Sequence, residues 1–146
     1  MKKYFIVAGE PSGDLHGSKL IKAIKDLNPN SSFMGHGGDN MHNEGMNIIE
    51  HVDNLAIMGF AEVLRHLPRM NKIMRNTVGA IERSKPDRVI LIDYPGFNLR
   101  LAKRLSPLKI PITYFILPQA WAWKQRRVEV LKRFIDQSIS IFPFEN

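Results

Sequence analysis

The run Val89-Ile90-Leu91-Ile92-Asp93-Tyr94-Pro95-Gly96-Phe97-Asn98 carries the clearest structural signal in the chain. Four consecutive apolar residues have the continuous pattern of a strand buried on both faces, as in a parallel sheet; a half-exposed strand would alternate. Pro95 and Gly96 then turn the chain, and Leu101, Ala102 and Leu105 suggest a helix that stops near Pro107. In open α/β sheets ligands collect beyond the carboxyl ends of the strands. Asp93 stands at such an end, where partial loss of water raises a carboxyl toward the range useful for a general base.

The same alternation extends both ways. Upstream, Met70, Ile73, Met74, Val78 and Ile81 form a helical stripe, broken by Ser84-Lys85-Pro86-Asp87. Tyr4 to Ala8 is an opening strand that stops at Gly9, and Leu20, Ile21, Ala23, Ile24 and Leu27 mark a helix ended by Asn28-Pro29-Asn30. Ser32-Phe33-Met34 suggests a short strand before a glycine-rich loop, Gly35 to Gly38. Downstream come a buried strand from Ile112 to Leu117, a helix marked by Val128, Leu131, Phe134 and Ile135, and a last strand at Ile139 to Phe142. Strands alternating with helices predict an α/β fold: a Rossmann-like open parallel sheet with helices on both faces, formed by residues 1–146 as one domain.

Composition narrows the class. Apolar residues make up 44% and charged residues 24%, which suits a globular chain rather than a disordered one. No apolar stretch reaches the roughly 20 residues that cross a bilayer. The N-terminus superficially resembles a signal peptide, but Glu10 and Asp14 follow its short apolar part at once. There are no cysteines, so disulfides and thiolate metal sites are excluded. Lys plus Arg number 21 against 14 Asp plus Glu, a formal +7 that suits an anionic partner or simply a solubilising surface. The histidines at 16, 36, 42, 51 and 66 show no metal-ligand spacing; His16 and His36, in glycine-rich stretches, are the two that could contact ligand.

Three strand-end loops are therefore candidates. The first, Gly9-Glu10-Pro11-Ser12-Gly13-Asp14-Leu15-His16-Gly17, has neither the dinucleotide glycine pattern nor a P-loop lysine. Ser12 or Asp14 suits a cap on the following helix, while Glu10, outside that helix, is open to substrate contact, base duty or a structural role. The second loop holds Asp93 and Asn98. The third, Pro118-Gln119-Ala120-Trp121-Ala122-Trp123, offers flat apolar faces beside Lys124, Arg126 and Arg127, though at least one tryptophan is expected in the core. Separately, Leu55 to Ala61 has no polar side chain; Val63, Leu64 and Leu67 extend it, with Arg65, Arg69 and Lys72 interleaved. Such a segment suits a buried helix or one lying in a membrane interface.

Taken in order, these pieces resemble the lipid-A-disaccharide synthases. The matching motifs are Ala8 to Asp14, Gly35 to Met41, Met58-Gly59-Phe60-Ala61-Glu62-Val63-Leu64, Asp93 to Asn98, Pro118 to Lys124, and Phe142-Pro143-Phe144-Glu145. The resemblance implies the N-terminal, acceptor-side domain of a GT-B glycosyltransferase, with the C-terminal UDP-sugar-binding domain absent and no activity expected from this half alone. It implies inverting transfer of 2,3-diacylglucosamine from UDP to 2,3-diacylglucosamine 1-phosphate at the cytoplasmic face of the inner membrane of Gram-negative bacteria. No cofactor, metal or nucleic acid is expected, and a homodimer is left open. The family pattern puts activity on Asp93 and Glu10, with Asp93 favoured as base. Gly9, Ser12, Gly13, Asp14, Gly17, Asn98, Trp121, Arg126 and Arg127 become substrate-binding candidates, and Phe60, Val63, Leu64, Leu67 and Met70 membrane or acyl contacts. The pattern departs from many relatives at Gly96, where they carry a second aspartate. Competing readings are another GT-B enzyme such as a UDP-sugar epimerase, a non-catalytic membrane module binding an anionic lipid or nucleotide, and a single-stranded nucleic-acid binder, which the crevice acids oppose.

Overall fold

A computed structural model of the chain describes residues 1–56, 67–116 and 135–140. Its strands are β1 (Lys2–Ala8), β2 (Ser31–Gly37), β3 (Asn47–His51), β4 (Arg88–Ile92), β5 (Ile112–Ile116) and β6 (Gln137–Ser140). The helices are α1 (Pro11–Leu27), α2 (Asp39–Asn43), α3 (Val52–Ala56), α4 (Leu67–Ser84) and α5 (Pro95–Leu105). All the strands pair parallel in one sheet, in the order β3-β2-β1-β4-β5-β6. That is the doubly wound order, in which the chain moves outward from β1 on one side, then crosses back to lay β4 on its other side.

The strand pattern decides which helices cover which face. Successive side chains of a strand point to opposite sides, so Phe5, Val7, Val89, Leu91, Ile112 and Tyr114 join one core with Ile73, Met74 and Ile81 of α4 and Leu101 and Leu105 of α5. Ile6, Ala8, Ile90 and Ile92 face the other way, into a core with Ile21 of α1, Met41 of α2 and Met46. Both sides of Val89 to Ile92 are thus interred, as the unbroken apolar run requires. The expected Rossmann-like fold is the one found.

Two parts differ from expectation. Gly35 to Gly37 belong to β2 instead of a loop. Gly35 has φ +149°, and a Cβ there would lie 1.9 Å from the Ile6 carbonyl oxygen, so only glycine lets the strands pair at this point. His36 is consequently a fully buried strand residue and not a loop ligand. The short elements α2, β3 and α3 carry little periodic signal and have no counterpart in the sequence reading. The helix expected around Val128 to Phe134 lies outside the described residues.

Candidate active site

Because α1 leaves β1 on one face and α5 leaves β4 on the other, a crevice opens between the carboxyl ends of these adjacent strands. Its walls are the loops holding Gly9 and Glu10 on one side and Asp93 and Tyr94 on the other. They are in close contact: a Cβ on Gly9 would lie 2.3 Å from Cδ2 of Tyr94. Glycine there lets the ring lie against the backbone. Glu10 is exposed, with extended backbone, at the N-cap position of α1, and its side chain makes no capping bond.

Asp93 is half-buried. Burial pushes its carboxyl above the ordinary carboxylate value, the negative charge of Glu10 pushes the same way, and the Tyr94 backbone amide opposes both. The Tyr94 phenol is raised by burial and by Glu10 as well. The two acids singled out in the sequence therefore sense one another across the crevice. A half-desolvated carboxyl beside a second acid is the type of environment that prepares a general base.

The backbone at this corner is unusual. Asp93 and Tyr94 both have left-handed φ, 42° and 51°, and neither is glycine. Such residues cost on the order of 1–3 kcal/mol each and persist only where their surroundings hold them. The Asp93 carbonyl oxygen accepts hydrogen bonds from Nδ2 of Asn98 at 2.8 Å and from the Tyr114 hydroxyl at 2.6 Å. Asn98 Nδ2 also reaches the Ile92 and Val7 carbonyls at 3.3 and 3.4 Å.

These contacts revise several expectations. Asn98 is fully buried and ties the ends of β1 and β4 together, so it does not face substrate. Asp14 is 5% exposed and both its oxygens are occupied: Oδ1 accepts from the amides of Gly38 (2.8 Å) and Met41 (2.9 Å), and Oδ2 from Asn40 (3.1 Å). It is a cap, as its type suggests, but of α2 and not of its own helix. Gly13 packs on Ala8 and Ile92, and Gly17 on Met41 and Ile92, with Cβ distances of 3.2 and 2.7 Å to the nearest atoms. They bring α1 down onto the sheet and are spent on packing, leaving Gly9 as the loop glycine at the crevice. Ser12 is exposed on the first turn of α1.

Beside the Asp93 loop, a cleft of about 60 Å³ runs between α4 and α5, with Met70, Met74 and Phe97 as apolar lining, Gly96 at its loop end, and Arg100 and Arg104 along one side. A Cβ at Gly96 would meet nothing within 4 Å. Arg100 and Arg104 are not among the residues that the loops single out; their spacing of four from Gly96 and from each other, which puts them on one helix face, is the signal the sequence holds for them. Beneath the loop, the His36 ring lies 5.6 Å from that of Phe97 and 6.5 Å from that of Phe5. Its Nε2 pairs with Thr77 Oγ1 at 3.0 Å, while Nδ1 has no partner among the described residues. Thr77 gives its own hydrogen to the Ile73 carbonyl, so the ring is the donor to it.

Trp121, Arg126, Arg127, Phe60, Val63 and Leu64, and the side chain of Leu67, lie outside the described residues. Leu55, at the start of the apolar stretch, is fully buried in the α4–α5 core. Among the described residues no helix is long and apolar enough to cross a membrane, and no group of His, Asp and Glu is placed to hold a metal ion.

The chain is 39% identical over 143 residues to the lipid-A-disaccharide synthase of Myxococcus xanthus, covering 98% of this chain and 37% of that protein. It is 44% identical over 142 residues to the enzyme of that name from Acidobacterium capsulatum, covering 97% and 35%. The chain thus spans a little over a third of the length of such relatives. A crystal structure of UDP-GlcNAc 2-epimerase from Neisseria meningitidis, bound to UDP-GlcNAc, superposes with a TM-score of 0.62 over 96% of this chain and 40% of that one. At 12% identity that likeness concerns the fold alone. The profile of the family described as lipid-A-disaccharide synthetase matches residues 4–146, from the first strand to the last residue, and the chain belongs to that family.

Proposed function

We propose that this chain is the acceptor-side domain of a two-domain, inverting GT-B glycosyltransferase that moves 2,3-diacylglucosamine from UDP to 2,3-diacylglucosamine 1-phosphate. The observation that carries the reading is the pairing of Glu10 and Asp93 across the β1–β4 crevice, with the Asp93 carboxyl raised by burial and by Glu10. In this reaction the acceptor hydroxyl attacks the anomeric carbon from the face opposite UDP. A carbon–oxygen bond forms, the bond to the diphosphate oxygen breaks with its electron pair leaving on UDP, and the hydroxyl proton passes to a base. Asp93 is that base in our reading. Glu10 keeps the carboxyl of Asp93 proton-hungry and is the substitute candidate.

The α4–α5 cleft suits the acceptor in chemistry: guanidinium groups of Arg100 and Arg104 for its phosphate, and Met70 and Met74 for the first part of an acyl chain. Trp121, Arg126 and Arg127 remain substrate-contact candidates, and Phe60, Val63, Leu64 and Leu67 candidates for docking at the cytoplasmic surface of the inner membrane. The C-terminal portion that the longer relatives possess would hold the UDP-sugar.

Asp93→Asn in the two-domain protein tests the base. Loss of a general base lowers turnover by about 10²–10⁴-fold, and the wild-type rate should rise with pH through a value above the ordinary 3.8 of a carboxyl, because the base acts only when ionised. Near-normal turnover by a folded Asp93→Asn protein would remove Asp93 from this role.

A further inference from the structure

We infer that Tyr114 and Asn98 are positioning residues for the proposed base, aiming its carboxylate by gripping the Asp93 main-chain carbonyl from below. The inference rests on the reading of Asp93 as base. Its own support is geometric. Tyr114 is fully buried in the middle of β5, in a core otherwise made of Val89, Leu91, Ile112 and similar residues. A phenylalanine would fill that space without a polar atom. A tyrosine buried so deeply brings a hydroxyl that needs a partner, and this one donates to the Asp93 carbonyl at 2.6 Å.

Asn98 makes the same point from the other side. Its Nδ2 serves the carbonyls of Asp93, Ile92 and Val7, while Oδ1 is buried without a partner among the described residues. Turning the amide over would set Oδ1 against three carbonyl oxygens, so its orientation is fixed by the strand ends. A buried acceptor left bare is unfavourable; here it accompanies a side chain committed to this corner. The two donors converge on the single carbonyl between the two left-handed residues, Asp93 and Tyr94.

Holding that carbonyl fixes the peptide plane after Asp93. With Asp93 N bonded to the Phe115 carbonyl at 2.9 Å, both peptide groups flanking its Cα are pinned, and the Cα–Cβ direction with them. The carboxylate then has only its own side-chain rotations to search. Pre-orientation of a reacting group is worth large factors in rate, and displacement by about 1 Å can cost about 10²-fold. Among the described residues, the titratable groups around Asp93 are Glu10 from the start of α1, Tyr94 beside it and Tyr114 from β5; α5 contributes the neutral Asn98.

The test uses Tyr114→Phe, Asp93→Asn and the double variant in the two-domain protein, with carboxyl-carbon NMR titration of Asp93 in wild type and Tyr114→Phe. We expect Tyr114→Phe to lower kcat by about 10–100-fold, to leave KM within about 2-fold, and to move the acidic limb of the pH profile down, as a loosened turn admits water to Asp93. Added to Asp93→Asn, it should lower kcat no further. Unchanged kcat and pH profile in Tyr114→Phe would overturn the inference, as would a full loss on top of Asp93→Asn. If Asp93→Asn retains its turnover, the base reading fails separately, and the NMR titration still decides the grip: an Asp93 titration midpoint identical in wild type and Tyr114→Phe overturns it. Asn98→Ala, which removes the other donor, should act in the same direction and serves if Tyr114→Phe folds poorly.

Discussion

Acid should unfold this protein through a residue that takes no part in the proposed chemistry. His36 lies in β2 between the rings of Phe5 and Phe97, and burial lowers its pKa from 6.5 to about 4. The folded protein therefore refuses a proton that the unfolded chain accepts. Stability from this group is complete above pH 6.5 and is lost as the pH falls toward 4, at about 1.4 kcal/mol for each pH unit. Over the whole window the loss comes to roughly 3.5 kcal/mol, a large share of the 5–15 kcal/mol that stabilises a typical domain. Urea unfolding followed by circular dichroism at several pH values between about 7 and about 4, on wild type and His36→Gln, isolates the term. Glutamine keeps an N–H for Thr77 but does not titrate, and carboxylates common to both proteins cancel in the difference. The wild type should lose ground relative to the variant by the amount given, starting near pH 6.5. Parallel pH dependences in the two proteins would refute the reasoning.

Three further outcomes follow from the site. Asp14→Ala leaves the amides of Gly38, Asn40 and Met41 without their shared acceptor and should lower stability by on the order of 3 kcal/mol in thermal or urea unfolding. Gly9→Ala forces a methyl group into the Tyr94 ring and should reduce kcat by about 10–100-fold, whereas Gly96→Ala, whose Cβ meets nothing within 4 Å, should raise Tm slightly. Replacing Arg100 and Arg104 together by alanine should raise KM for the phosphorylated acceptor about 10-fold with kcat little changed, and an acceptor lacking the phosphate should show no such difference.

Much of this was legible before any coordinates. Runs such as Val89 to Ile92 and the largely apolar Ile112 to Leu117 announce strands buried on two sides, and the breaks at Asn28-Pro29 and Lys85-Pro86 set the helix ends. From those, the carboxyl-end rule picked out Glu10 and Asp93. What the pattern could not supply was direction within a loop. Asn98 and Asp14 have side chains that suit ligands as well as they suit backbone, and only the packing shows that both are turned inward to carbonyls and amides. Gly13 and Gly17 read as loop glycines because four-residue spacing of small residues in a helix looks the same whether a ligand or Met41 fills the gap. Tyr114 was hidden by its neighbours: in a strand of mostly apolar residues that also holds the Thr113 hydroxyl, a second hydroxyl does not stand out.

The arrangement of the sheet also governs when the crevice comes into being. β1 meets β2 after a short excursion, but its contact with the β4 side joins partners as far apart as Lys3 and Asp87, 84 residues along the chain. Long-range pairings of this kind form late, since closing a large loop precedes any reward from the contact. A nascent chain that has completed its first three strands holds Glu10 with no Asp93 opposite, and an isolated second half holds the reverse. The two acids become a pair only once β4 is laid beside β1.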